Sequence, residues 1–161
     1  MSAVHEAPAR LRGLPSRLLT QAAMHADRLT ADGLAREDAH KWHYAVLASL
    51  QEFGSASQAD LSRRTGIYRS DLVAVINELA GRGLVERAPD PEDRRRNVIT
   101  MTGEGGAHLR KLDGLIATLQ DELLEPFSEM EREQLIRLLE RLNDHHAKDR
   151  QPQVDDRGAS T

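Results

Sequence analysis

The sequence contains no cysteine. That excludes a disulfide scaffold, a thiolate nucleophile and cysteine-based redox sensing. Aromatic residues make up 3% of the 161 positions, so a core has to be built from aliphatic side chains. No apolar run approaches the roughly 20 residues that cross a bilayer. The stretch MSAVHEAPARLRGLP lacks the apolar segment of a signal peptide. A nucleophile elbow, a Gly-rich phosphate loop and a closed metal motif are also missing, so no enzymatic activity, cofactor or metal is assigned. What is present is rich in Leu, Ala, Arg and Glu, which favours helix. The expectation is a cytoplasmic, mainly helical protein without membrane association.

The net charge of −4 argues against a nucleic-acid partner until its distribution is considered. Residues 1–60 sum to −1, residues 61–102 to +2 and residues 103–149 to −5. All eight basic residues of the positive segment are arginines, and three of them, Arg94, Arg95 and Arg96, are consecutive. A small basic reader on an acidic helical scaffold would carry this asymmetry.

The spacing of apolar residues predicts the elements. A first helix starts at about Leu11 or Ser16 and ends near Thr30, with ADGLARED interrupting it. A second spans about Ala39–Glu52, with Trp42, Val46, Leu50 and Phe53 at helical spacing and Gly54 as its C-terminal cap. Ser57 with Asp60 opens a short helix to about Thr65, stopped by Gly66. Leu72, Val75, Ile76 and Leu79 follow the i, i+3, i+4, i+7 pattern of an amphipathic helix that Gly81 and Gly83 close. Leu84–Arg87 and Val98–Met101 are β-prone, and the turn residues Asp90-Pro91-Glu92-Asp93 lie between them. After Thr102, Leu109, Leu112, Ile116, Leu119 and Leu123 form a coiled-coil-like seam on a long helix. Pro126 breaks it, and Ser128 caps a last helix through Leu135, Leu138, Leu139 and Leu142.

Helix, turn, helix and then a hairpin with an arginine tip is a winged helix-turn-helix. The predicted fold class is mainly α, or α+β, with long terminal helices and a two- to three-stranded wing. The boundaries are a disordered N-terminus at 1–10, an N-terminal helix and linker at 11–38, the winged domain at 39–102, C-terminal helices at 103–146 and a disordered tail at 147–161.

These residues resemble the MarR family of bacterial transcriptional regulators. The resemblance rests on Asp93, Arg95, Val98, Met101, Thr102 and Gly105 in the wing, preceded by Asp90-Pro91 and by the entry Gly83-Leu84-Val85-Glu86-Arg87. It runs from about Ser16 to His146. It implies a homodimer held by interlocking N- and C-terminal helices, and binding to a palindromic operator on double-stranded DNA, usually as a repressor. It also implies release by an effector such as a small aromatic acid or a metal.

The site residues follow. Arg94 and Arg95 occupy the wing tip, where a charge run would ordinarily be a solvated turn. By resemblance, Arg95 enters the minor groove and Asp93 holds its side chain; an A·T-rich minor groove attracts arginine. Arg96 is a flank or phosphate contact. Arg69 and Ser70 begin the recognition helix, whose N-terminal residues meet base edges. Tyr68, Asp71, Val73, Ala74 and Asn77 complete that set. Tyr68 and Asp71 depart from the family's usual capping Asp and Thr, and Val73 and Ala74 stand where polar base-readers are common. Gln58, Arg63 and Arg64 are expected on phosphates.

His40 and His43, three apart on one helical face, are spaced to bind a metal, although histidine pairs on helices more often pack or face solvent. Trp42, His43 and Tyr44 are the candidate lining of an effector pocket. A different function class stays open: a winged-helix module whose wing contacts an acidic protein without binding DNA.

Overall fold

The computed structural model describes residues 7–148. In chain order these form α1 (Ala9–Arg12), α2 (Pro15–Ala35), α3 (Lys41–Phe53), β1 (Ala56–Ser57), α4 (Gln58–Thr65), α5 (Arg69–Gly81), β2 (Val85–Pro89), β3 (Asn97–Met101), α6 (Gly103–Leu123) and α7 (Glu129–Lys148). The chain divides into one unit up to Leu123 and a second from Leu124.

The first unit is organised around an aliphatic core. Leu34 of α2, Leu47 of α3, Leu61 of α4, Leu72 and Ile76 of α5, and Leu112 of α6 are fully buried. All four apolar positions that predict the recognition helix, Leu72, Val75, Ile76 and Leu79, are buried. Local signals set the helix ends. Ser57 Oγ accepts the Asp60 N–H at 3.2 Å, and Gly66 leaves α4 in the left-handed region at φ 73°.

The sheet is antiparallel, with order β1-β3-β2. Strands β2 and β3 run in register from Val85↔Met101 to Pro89↔Asn97, while Ala56 of β1 faces Ile99. Ile99 in the central strand is fully buried, which fastens the wing to the helical core. The base of the wing is tied to α6 through Thr102. Its N–H donates to Leu84 O at 3.1 Å, its hydroxyl donates to Gly83 O at 2.7 Å, and it accepts the Gly105 N–H at 3.0 Å.

Several expectations are corrected. Ala9 and Arg10 lie in a short helix, and α7 continues to Lys148. The rest of the termini expected to be disordered, residues 1–6 and 149–161, lie outside the described residues. ADGLARED does not interrupt α2, which stays helical to Ala35. A Cβ at Gly33 would overlap the δ carbons of Leu119, so the glycine serves close approach of α2 and α6, not a helix break. Trp42 and Phe53 are exposed although they share spacing with the buried Val46 and Leu50. The Arg64 guanidinium lies 4.7 Å from the Phe53 ring centroid, a cation–π contact at the surface. Within the seam on α6, Leu109, Leu112 and Leu119 are buried inside this chain.

In the second unit, Ser128 and Glu131 cap α7 reciprocally: Ser128 Oγ accepts the Glu131 N–H at 3.3 Å and Glu131 Oε1 accepts the Ser128 N–H at 3.0 Å. These bonds hold the Glu131 carboxyl below its ordinary value. None of the residues of α7 is buried.

Candidate nucleic-acid interface

The hairpin loop between β2 and β3 is ordered by its own carboxylates. Asp90 Oδ1 accepts the Glu92 N–H at 2.9 Å and Asp93 Oδ1 accepts the Arg95 N–H at 3.0 Å. The Asp90 N–H donates to Arg96 O at 2.8 Å and the Arg96 N–H to Asp93 O at 3.0 Å, which closes the loop. Such Asx turns let short acidic side chains replace missing ladder bonds. The chain thereby presents Arg94, Arg95 and Arg96 as exposed side chains on a braced loop.

Resemblance implies that Asp93 holds the Arg95 side chain. The geometry differs: Asp93 holds the Arg95 backbone, and its Oδ2 faces Arg96 Nε at 3.7 Å. Asp93 therefore shapes the turn and biases Arg96, which leaves the Arg95 guanidinium free of that carboxylate.

A cleft of about 500 Å³ opens beside the wing, lined by Ser57, Gln58 and Asp60 at the start of α4, Arg69 at the start of α5, and Arg95, Arg96 and Asn97 of the wing. Four residues predicted from sequence, Gln58, Arg69, Arg95 and Arg96, are thus brought together from three elements. Two helix N-termini add their partial positive charge to three guanidinium groups. An arrangement of this kind attracts a polyanion such as a nucleic-acid backbone.

Tyr68, the N-cap of α5, and Ser70, Val73 and Ala74 on the helix are exposed, with Tyr68 at 79% and Val73 at 41% of their full surface. Asp71 is half-buried. Asn77 is not a free reader, because its Oδ1 accepts from the Arg87 guanidinium of β2. That bond links the recognition helix to the base of the wing. The phosphate candidates also have partners: Arg63 pairs with Asp60 at 2.9 Å and Arg64 covers Phe53. Both arginines are exposed, and exposed pairs of this kind are weak enough to exchange for phosphate.

Trp42, His43 and Tyr44 follow one another on α3 and do not share one of its faces. Consecutive helical residues point about 100° apart, and each of these three finds a different environment. Trp42 is exposed, His43 is buried against α5, and the Tyr44 hydroxyl donates to Asp113 Oδ1 of α6 at 2.7 Å. That bond, with burial, pushes the Tyr44 phenol up to about 12.

His40 and His43 meet a residue that sequence reasoning did not select. Glu78 Oε2 lies 2.6 Å from His43 Nε2 and 3.2 Å from His40 Nε2. His43 Nδ1 accepts the His40 N–H at 3.3 Å, so the neutral ring carries its proton on Nε2 and donates it to Glu78. Burial holds His43 below its ordinary value against the opposing hydrogen bond that it donates to Glu78. Bonds from His43 and then His40 hold the Glu78 carboxyl low. Glu78 is 35 residues from His43, and only the fold of α5 onto α3 could reveal the pairing.

Comparison with known proteins places this geometry. A sequence model of the MarR family matches residues 33–96. The HTH-type transcriptional repressor NicR of Pseudomonas putida is 27% identical over 101 residues, covering 63% of this chain and 64% of that protein. The chain spans 60% to 64% of the length of the curated relatives it matches. The crystal structure of a probable transcriptional regulator from Pseudomonas aeruginosa superposes with a TM-score of 0.75 at 32% identity, covering 83% of this chain and 99% of that one. PcaV, a transcriptional regulator from Streptomyces coelicolor solved in complex with its natural ligand, superposes with a TM-score of 0.73 at 28% identity, covering 86% and 97%.

Proposed function

The chain belongs to the MarR family of winged helix-turn-helix transcriptional regulators, and from that premise we propose that it is a homodimeric repressor that binds a palindromic operator on double-stranded DNA. The carrying observation is the cleft in which Gln58, Arg69, Arg95 and Arg96 converge from α4, α5 and the wing. Arg69, at the first turn of α5, is the candidate for bidentate pairing with guanine in the major groove. Ser70 and Gln58 bond phosphate or a base edge, and the exposed Val73 and Ala74 meet thymine methyl groups. Arg95 enters the minor groove, where narrow A·T-rich segments concentrate negative potential. Arg94 and Arg96 neutralise phosphates beside it. The family is one of transcriptional regulators, which are not enzymes.

Release by a small molecule is the finer part of the proposal. It is supported by the likeness to PcaV, whose structure holds its natural ligand. No role in that response is assigned to Trp42, His43 and Tyr44 as a group, because their side chains diverge.

Footprinting on the DNA flanking the protein's own gene tests the central claim. A protected, roughly two-fold symmetric segment, lost as salt is raised, is the expected result. Absence of protection at low salt, with capture of an acidic protein by the wing, would favour the interaction-module reading instead.

A further inference from the structure

His40 and His43 play no part in the cleft, yet their placement is specific. His40 is the N-cap of α3 and His43 lies one turn in, so both rings face the same way, with centroids 3.6 Å apart. The carboxylate of Glu78 reaches them from α5, and one ligand atom from each of the three residues lies within 4.8 Å of the other two. Two imidazoles and a carboxylate are a donor set suited to zinc and other first-row divalent cations.

Metal–nitrogen and metal–oxygen bonds near 2.1 Å in a tetrahedral site put ligand atoms roughly 3.4 Å apart. The His40–Glu78 separation of 3.2 Å is already close to that, while the 2.6 Å His43–Glu78 contact has to open. Glu78 can make that move, because its side chain is 53% exposed. The exposed halves of Glu78 and His40 also leave a fourth position accessible to water. Two features oppose binding. Coordination through His43 Nε2 moves the ring proton to Nδ1 and breaks the 3.3 Å bond from the His40 N–H, the longest of the cluster. Arg82 brings a positive charge nearby, although its guanidinium is turned onto the Asp38 carbonyl at 2.8 Å. One weak backbone bond and one engaged arginine are small opposition to three converging ligands.

We propose that His40, His43 and Glu78 bind a single zinc-class divalent cation that joins the N-terminus of α3 to the third turn of α5. The site stands apart from the DNA-binding reading, because uptake is measured on the protein alone. The test uses full-length protein carrying His145→Ala and His146→Ala, which removes the adjacent C-terminal histidines as a competing site. Zinc is titrated against a chromophoric chelator, and cobalt is added separately for its visible absorption. One zinc per chain is expected, with a cobalt spectrum of low coordination number. Glu78→Gln and His40→Ala, both at half-exposed positions, should each lower affinity by at least about tenfold, a loss that even an outer partner of a metal site can produce. Circular dichroism confirms that either variant is folded. No uptake of zinc or cobalt by the parent overturns the proposal, and so does undiminished affinity in folded Glu78→Gln and His40→Ala.

Discussion

At the scale of single residues, Arg95 and Asp93 separate two ways in which a basic wing can work. Arg95→Ala removes a guanidinium that the loop leaves exposed, and loss of a good contact of this kind costs about 1–3 kcal/mol per site. Operator binding should weaken at least tenfold in a fluorescence-anisotropy titration, while helix content stays unchanged, since substitutions at such exposed sites stay within about 0.5 kcal/mol. Asp93→Ala removes a negative charge, so net electrostatics alone predicts tighter binding. The opposite is expected, because Asp93 Oδ1 holds the Arg95 N–H and its main-chain oxygen closes the loop on Arg96. Tighter binding by that variant would reduce the wing to a diffuse positive patch. A second prediction concerns acid. Burial holds both His43 and His108 below the ordinary 6.5, and the Arg82 charge adds to the effect at His108. His108 Nε2 is buried without a hydrogen-bond partner. As pH falls below 6.5 the unfolded chain takes up protons that the folded chain refuses, so stability falls with pH. Glu78, whose folded value is depressed, adds a loss in the same direction below its ordinary 4.5. The urea midpoint should therefore drop between pH 7.5 and pH 5, and less steeply in His108→Leu. A flat profile in the parent would contradict the burial argument.

At the scale of elements, Gly105 shows what a sequence motif conceals. In the sequence it is one of the residues that carry the resemblance to the MarR family; in the fold it lies where α6 crosses the base of the wing. A Cβ on Gly105 would overlap the Leu84 carbonyl, which is backbone and already accepts the Thr102 N–H at 3.1 Å. Gly105→Ala gains up to about 1 kcal/mol of helix propensity, but overpacking against a fixed group typically costs about 1–3 kcal/mol or more. A lower thermal midpoint is expected, accompanied by weaker DNA binding as the wing shifts. An unchanged midpoint would show that the α6–wing junction is loose. The same comparison marks the limit of what sequence can carry. Helices α3, α4 and α5 and the hairpin were legible because their signals are local: a capping serine, a left-handed glycine, a four-residue apolar stripe and turn acids. ADGLARED was misread because Gly33 reports a contact with Leu119, far along the chain, and not a local break. The cleft residues were legible from charge and position after a helix-turn-helix. The Glu78 cluster, the Arg87–Asn77 link and the split among Trp42, His43 and Tyr44 depend on which helix face meets which neighbour, and no short-range pattern encodes that.

At the scale of the whole molecule, the apolar surface left uncovered is what a dimer has to explain. Sequence spacing puts that surface on the Leu109–Leu123 seam of α6 and on the final leucine helix, but Leu109, Leu112 and Leu119 of the seam are buried inside one chain and cannot hold a partner. Two runs of exposed apolar residues remain: Leu14, Leu18, Leu19 and Met24 at 39–58%, from the N-cap of α2 into its first half, and Met130, Ile136, Leu138 and Leu142 at 39–80% on the final helix α7. None of the twenty residues of α7 is buried among the described residues, and in proteins most helical stability comes from packing an amphipathic face against a neighbour. A second copy of the chain is the partner that the family implies. In a two-fold dimer every substitution acts twice. Burying one leucine side chain is worth about 1.5–3 kcal/mol, so Leu138→Glu should weaken association by about 3 kcal/mol or more per dimer, at least two decades in dissociation constant. Sedimentation equilibrium at micromolar concentration should give twice 17.9 kDa for the parent and a shift toward 17.9 kDa for Leu138→Glu. Operator affinity should fall with the dimer, because a monomer reads only one half-site. A parent that sediments as a folded monomer would leave both uncovered faces without a partner and remove the symmetric operator with them.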